Sequence, residues 1–314
     1  MAGKTDPLKV LEKELDSMKR GSPSNLEAYL KLIYDKEITD SKTKLFIKFV
    51  RLGPDKVPRT RDLCKWLVGA ILDYTTPRDK IKDAKEADAL EKVQDNISGL
   101  NIDARFIFSK SKTSGEFGEM LIYALLERFL QLPQLVAKMD LKTSFEQHFN
   151  GADGIHYDIK NNRPVIIISE SKMKKDLGDG ITECLKSLDS ILSTKASIGQ
   201  KLGNEIHVVR SHLNIDNEDL KKAMKIILDP SKSLYNSIDL MGAGLLCFDY
   251  DKYQNESNEA SLEKIITDEV AKWEKSYLKR LKTHRKKDFE FIFFMIPFPS
   301  VEEVRKEFKE MLGI

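Results

Sequence analysis

Three cysteines are all that the 314 residues contain. Cys64, Cys184 and Cys247 are widely separated and odd in number, which excludes a disulfide framework and leaves no C-x-x-C zinc site. They read as reduced thiols of an intracellular chain. Long hydrophobic runs are also missing: the longest, Phe291 to Phe298, is much too short to span a bilayer, and "MAGKTDPLKVLEKELDSMKR" has no apolar core of a secretory signal. A soluble, cytoplasmic chain is expected. Charge of one sign is lacking as well, because 52 Lys and Arg stand against 50 Asp and Glu for a formal net charge of +2. Composition therefore does not mark a nucleic-acid binder, although local basic clusters still can. There is no G-x-x-x-x-G-K-S/T loop, so ATP hydrolysis by this chain is not expected. There is no internal repeat, and the one polar low-complexity stretch is "DKYQNESNEAS" at 251 to 261.

What is present is enough apolar residue, 41%, for a sizeable core, and a length that suggests two units. Up to residue 100 the pattern is mainly helical: a charged helix over 7 to 20, a second after Ser24, a buried-face helix in "TRDLCKWLVGAILDYTT" and a polar helical stretch after Pro77. One strand, "KTKLFIKFVRL", interrupts it. A boundary falls near residue 100, and the region before it is assigned to partner docking or regulation. Beyond it strands alternate with helices. Strands are expected at "ARFIFS", "EIHVVRSHL", "GAGLLCFDYD" and "FEFIFFMIPF". Helices are expected from about Gly115 to Leu130, in "DGITECLKSLDSILSTKA", around 260 to 287 and in "VEEVRKEFKEML". Such alternation predicts an α/β core with a mixed sheet.

The stretch "ADGIHYDIKNNRPVIIISESK", residues 152 to 172, reads as a hairpin. Asn tolerates positive φ, so Asn161-Asn162 forms a two-residue turn flanked by Lys160 and Arg163. That register sets Asp153 opposite Glu170, and the period of two puts Lys172 on the same face. Two opposed carboxylates repel unless a cation lies between them or one is protonated. An all-oxygen set beside a lysine suits Mg²⁺, with Mn²⁺ as a substitute, rather than zinc. Upstream, Thr113 and Glu116 match the S/T-x-x-E capping box, and Glu116 and Glu119 share a helix face. Glu116 is read as a cap or a site member, and Glu119, one turn further in, as the third carboxylate. A strand end emerging into solvent is the bland reading of Glu170 and Lys172.

An acidic helix residue, an Asp opening one strand and Glu-x-Lys on the next resemble the PD-(D/E)xK nuclease superfamily, with "ADG" and "SESK" as the motif elements. Ala152 stands where the superfamily name has Pro. The run from "GEFGEML" through "ADGIHYDI" to "ISESKM" is similar to the HamA family, nuclease subunits of the bacterial Hachiman anti-phage defence system. The resemblance implies a restriction-endonuclease-like core over 101 to 314 and a metal-dependent DNA nuclease working as a heterodimer with the helicase HamB. It implies Asp153, Glu170 and Glu119 as metal ligands and Lys172 as the catalytic lysine. Two alternatives stay open: a non-catalytic DNA-binding scaffold with the same fold, and a stand-alone restriction-type endonuclease.

Other candidates weigh less. Lys174 and Lys175 lie just past the site, where a DNA backbone would pass or where a turn is merely solvated. "KSYLKRLKTHRKK" at 275 to 287 carries seven Lys or Arg residues and Tyr277, and reads first as an exposed helix. His156 is expected on the face away from Glu170, packed or at the surface, and Tyr157 in the core. His148, His207, His212 and His284 have no metal-ligand spacing. Glu307-Phe308-Lys309 repeats Glu-x-Lys inside a terminal helix, where it is a solvated face.

Overall fold

The computed structural model describes residues 6–109, 115–137, 152–192, 206, 209–256, 258–284 and 289–313. Six strands run through them: β1 (Leu30–Glu37), β2 (Lys42–Val50), β3 (Gly154–Lys160), β4 (Arg163–Lys174), β5 (Asp239–Asp249) and β6 (Glu290–Phe298). They form one mixed sheet in the order β1-β2-β6-β5-β4-β3. The four inner strands are parallel to one another, while β1 and β3 each pair antiparallel with the strand that follows in sequence. The α/β mixed sheet expected from the alternation is present.

Each chain segment has a local reason for its form. In the β3–β4 turn Asn161 and Asn162 have φ of 50° and 59°, the left-handed values a two-residue hairpin needs, and Lys160 pairs with Arg163 as anticipated. Strands β5 and β6 are apolar almost throughout because inner parallel strands are covered on both faces. Gly244 in β5 faces Phe293 of β6, and a Cβ there would come within 2.4 Å of the ring; glycine is what lets the aromatic lie across the neighbouring strand.

Helices cover both faces. On one side lie α8 (Leu177–Leu192) and the long α10 (Glu259–Thr283), which follows Asn258 as its N-cap. Trp273 of α10 meets Phe248 edge-on at 5.0 Å, and Tyr277 lies 4.6 Å from Phe293. On the other side are α3 (Thr60–Gly69), α7 (Glu116–Ala124) and α11 (Val301–Leu312), where Phe117 of α7 contacts both Phe298 and Phe308. Around them are α1 (Pro7–Glu14), α2 (Pro23–Glu27), α4 (Ile71–Thr75), α5 (Arg78–Glu91), α6 (Asp95–Ser109) and α9 (Glu218–Ile227).

Four expectations are corrected. The helix after Ser24 stops at Glu27, and β1 follows at Leu30: Leu30 and Leu32 pair with Val50 and Lys48 of β2, and a bulge before Tyr34 then shifts the register, a pairing that sequence spacing alone does not reveal. "ARFIFS" is the end of α6, not a strand; a short apolar run fits either periodicity, and here it continues a helix begun at Asp95. The described residues of "EIHVVRSHL" are helical at 206 and 209–211. The helix expected to reach Leu130 changes after Ala124 to a π-helical turn over Leu125–Phe129, which buries Glu127 completely. The residues before 100 are mainly helical, yet they also supply two strands to the same sheet as the rest.

Candidate active site

Strand β3 ends sooner than β4 does. The last ladder pair is Gly154 with Ser169, so among the described residues no strand pairs with this edge of β4 beyond Ser169. At that point Asp153 leaves the register: its N–H donates to Ser169 O at 2.8 Å, one residue short of the partner that the hairpin would assign. Its Oδ2 accepts from the Ser171 N–H at 2.7 Å and the Ser171 hydroxyl at 2.6 Å. The carboxylate is therefore clamped on the open edge of β4 instead of standing directly across from Glu170, which corrects the expected face-to-face opposition.

Alternation along β4 sends Glu170, Lys172 and Lys174 toward α8. The Cys184 thiol of α8 lies 3.6 Å from Glu170 O, and Lys174 pairs with Glu183 at 2.7 Å. Lys172 Nζ sits 2.5 Å from Glu170 Oε1. Glu170 is 4% exposed, and its Oε2 is buried without a hydrogen-bond partner. Burial pushes the Glu170 carboxyl above the usual range; Lys172 opposes that, and the nearby Glu119 charge adds to it. Burial alone would lower the Lys172 amine, but Glu170, with Asp153 behind it, outweighs the loss and holds it above its ordinary value.

Ser171 points to the opposite face, toward α7. A Cβ on Gly118 would come within 2.8 Å of Ser171 Oγ, so a glycine is what allows α7 this close to β4. The approach delivers Glu119 to the rim of the site, near enough for its charge to reach Glu170 around the open edge. Tyr74 of α4, fully buried, joins the cluster: its hydroxyl lies 3.3 Å from Glu119 Oε2 and 3.0 Å from the backbone oxygen of Asp153. Burial first, then Glu119 and Asp153, drive that phenol well above its ordinary value, so it stays a protonated donor.

Glu116 opens α7 after Gly115, is buried and has an unpartnered Oε1. It is therefore the first helical residue and not the third, as a capping box would make it; Thr113 lies outside the described residues, as do His148 and His207. Beside the cluster a cleft of about 470 Å³ is lined by Lys172, Lys174, Lys175 and Arg305 with Glu183 and Glu302. Arg305 of α11 donates to Met173 O at 2.6 Å, tying the end of β4 to the last helix. Sequence reasoning missed Tyr74 and Arg305, which only tertiary packing brings here; Ser171 stood in plain view inside "SESK". His156 and Tyr157 are buried, as expected of packing residues, and Tyr277 is core. Among the described residues no three of His, Cys, Asp and Glu are gathered closely enough to hold a metal ion. Among them, too, no helix is long and apolar enough to cross a membrane.

The HamA family model matches residues 27–312, nearly the whole chain. The chain belongs to the HamA family. HamA proteins are part of the Hachiman defence system, which includes HamB. The match takes in β1 and β2 as well as Asp153, Glu170 and Lys172. No curated protein matches the chain.

Proposed function

We propose that this HamA-family chain is a metal-dependent DNA nuclease with a restriction-endonuclease-like core, the effector of a complex whose motor is the helicase HamB. The observation that carries the reading is the Glu170–Lys172 pair, buried on the acid side, with Glu170 Oε2 unpartnered beside Glu119 and the clamped Asp153. Mg²⁺, or Mn²⁺ in its place, fits an all-oxygen donor set, and because it keeps several waters, one or two carboxylates suffice. One or two of the expected ligands Glu170, Asp153 and Glu119 would hold it, with water completing the shell, and Glu116, on the same face of α7 as Glu119, carries a second buried, unpartnered oxygen. When bound, the ion supplies a water acidic enough to attack a phosphodiester. Lys172 orients that water or stabilises developing negative charge; its ammonium is kept charged by Glu170. Ser171 fixes the Asp153 carboxylate in place. Lys174 and Lys175, at the mouth of the cleft, contact the DNA backbone.

The test is cleavage of plasmid and linear DNA by the full chain in Mg²⁺, Mn²⁺ and EDTA, comparing wild type with Glu170→Ala and Lys172→Ala. Metal-dependent cleavage that both substitutions abolish is the expected outcome; equal cleavage by folded variants sinks the reading. A second reading, a DNA-binding scaffold, draws on the absence of a three-ligand cluster among the described residues and on the engagement of Asp153 by Ser171. It predicts DNA binding without metal-dependent cleavage, whether or not the helicase is added.

The region before residue 100 docks or gates: a nuclease able to degrade its host's DNA has to be restrained at rest, and HamB supplies that restraint until foreign or damaged DNA is sensed. Equal resting cleavage rates with and without HamB would count against this.

A further inference from the structure

We infer that Tyr74, which comes from the region before residue 100, is a positioning residue for the acidic cluster, holding Glu119 against the backbone of Asp153. The inference rests on the nuclease reading above. A buried phenol needs one acceptor, and a merely structural tyrosine takes whichever backbone carbonyl is at hand. Among the described residues Tyr74 reaches acceptors of two candidate site residues on separate elements: Glu119 Oε2 on α7 at 3.3 Å and Asp153 O at the entrance to β3 at 3.0 Å. One hydroxyl proton shared between them sets the separation of helix and strand.

The ring that carries this hydroxyl is fixed from behind. It packs on Tyr123 of α7 at 5.0 Å between centroids. The Tyr74 carbonyl accepts from Gln134 Nε2 at 3.3 Å, and the Gln134 backbone N–H is bound by the buried Glu127 carboxylate. Glu127 in turn pairs with Arg78 at 2.6 Å, just after α4. Tyr74 is thus held on both sides and has little freedom to follow Glu119 if that carboxylate moves. Groups that fix a metal-ligating side chain in this way commonly govern metal affinity by 10- to 100-fold.

The experiment measures binding of Mn²⁺ alone to the full chain by calorimetry, with melting temperature alongside, for wild type, Tyr74→Phe, Glu119→Gln and the double variant. Tyr74→Phe keeps the ring and its packing and removes only the hydroxyl. It is expected to weaken Mn²⁺ binding about tenfold, and to change it less than about twofold once Glu119→Gln is present, because the effect passes through Glu119. Unchanged Mn²⁺ affinity in Tyr74→Phe overturns the positioning role while leaving the nuclease reading intact. So does an equal loss in both backgrounds, which is the mark of a general structural defect. Wild type that binds no Mn²⁺ would instead remove the nuclease reading, and this inference with it.

Discussion

Glu170 and Lys172 stand two residues apart on one strand, 2.5 Å between Oε1 and Nζ, the acid 5% exposed in its side chain and the amine 26%. The base is at the rim and the acid behind it. Glu170→Gln and Lys172→Met are each expected to lower DNA cleavage by at least about 10²-fold. Lys172→Met also strands a buried carboxylate, with a stability loss of about 1–3 kcal/mol. Cleavage kinetics paired with urea unfolding separates the two effects: Glu170→Gln loses the chemistry and leaves only the more exposed Lys172 ammonium without its partner.

Arg78 and Glu127 form an ion pair almost wholly out of water, 6% and 0% exposed. Burial pushes the Glu127 carboxyl up, while Arg78, Arg20 and the Gln134 N–H draw it back. Arg78→Met leaves that carboxylate without its ion-pair partner and is expected to cost about 3–5 kcal/mol, whereas Arg78→Met with Glu127→Leu recovers much of the loss. Chemical denaturation of the single and double variants decides it, and a double variant no more stable than the single would refute the account.

His156 is buried and neutral. Its Nδ1–H points at Leu132 O, 2.8 Å away, and its Nε2 is unpartnered. Burial lowers its pKa to about 4 from 6.5. Between those values the unfolded chain binds a proton that the folded chain refuses. Stability therefore falls as pH drops from about 6.5 toward about 4, by up to about 3 kcal/mol. His156→Gln should flatten this part of the pH–stability curve, as read from urea midpoints, and an unchanged slope would place the acid sensitivity elsewhere.

Lys48, fully buried in β2, has no hydrogen-bond partner for its ammonium, which lies 3.7 Å over the Phe129 ring. Burial lowers its pKa to about 8. The folded state thus gives up its proton sooner than the unfolded one, and stability should climb as pH rises from about 8 toward 10.5. Lys48→Met keeps the length and removes the charge; it is expected to stabilise the chain by about 1–3 kcal/mol at neutral pH. A fall in melting temperature would mean that the contact with the Phe129 ring outweighs desolvation.

The hairpin was legible because its determinants are local. Two adjacent Asn residues name the turn, and the turn fixes the register down to Gly154 and Ser169. Asp153 escaped the extrapolation, since where a ladder stops depends on what else competes for the strand edge, and here Ser171 offers both an N–H and a hydroxyl. Strand β1 was missed for a related reason: its partner β2 supplies the order that its own polar, half-exposed residues do not. "ARFIFS" misled because Phe106, like Ile102 one turn before it, is left exposed on α6, so an apolar residue there does not report a buried strand. Tyr74 could not be read at all, because nothing in its neighbourhood hints at the residues 45 and 79 positions away that it touches.

The sheet also sets a timetable for synthesis. Strand β2, made among the first fifty residues, lies between its hairpin partner and β6, which starts only at Glu290. At about 5–20 residues per second, roughly 10–50 s of translation separate the two strands. Until β6 emerges, β2 and β5 each lack an inner neighbour, and the halves of the sheet cannot join. The Glu170–Lys172 strand is made midway through that interval, yet α11, whose Arg305 ties down its end, is made after β6. The strand that carries the acidic cluster thus waits for a helix translated long after it to complete its support.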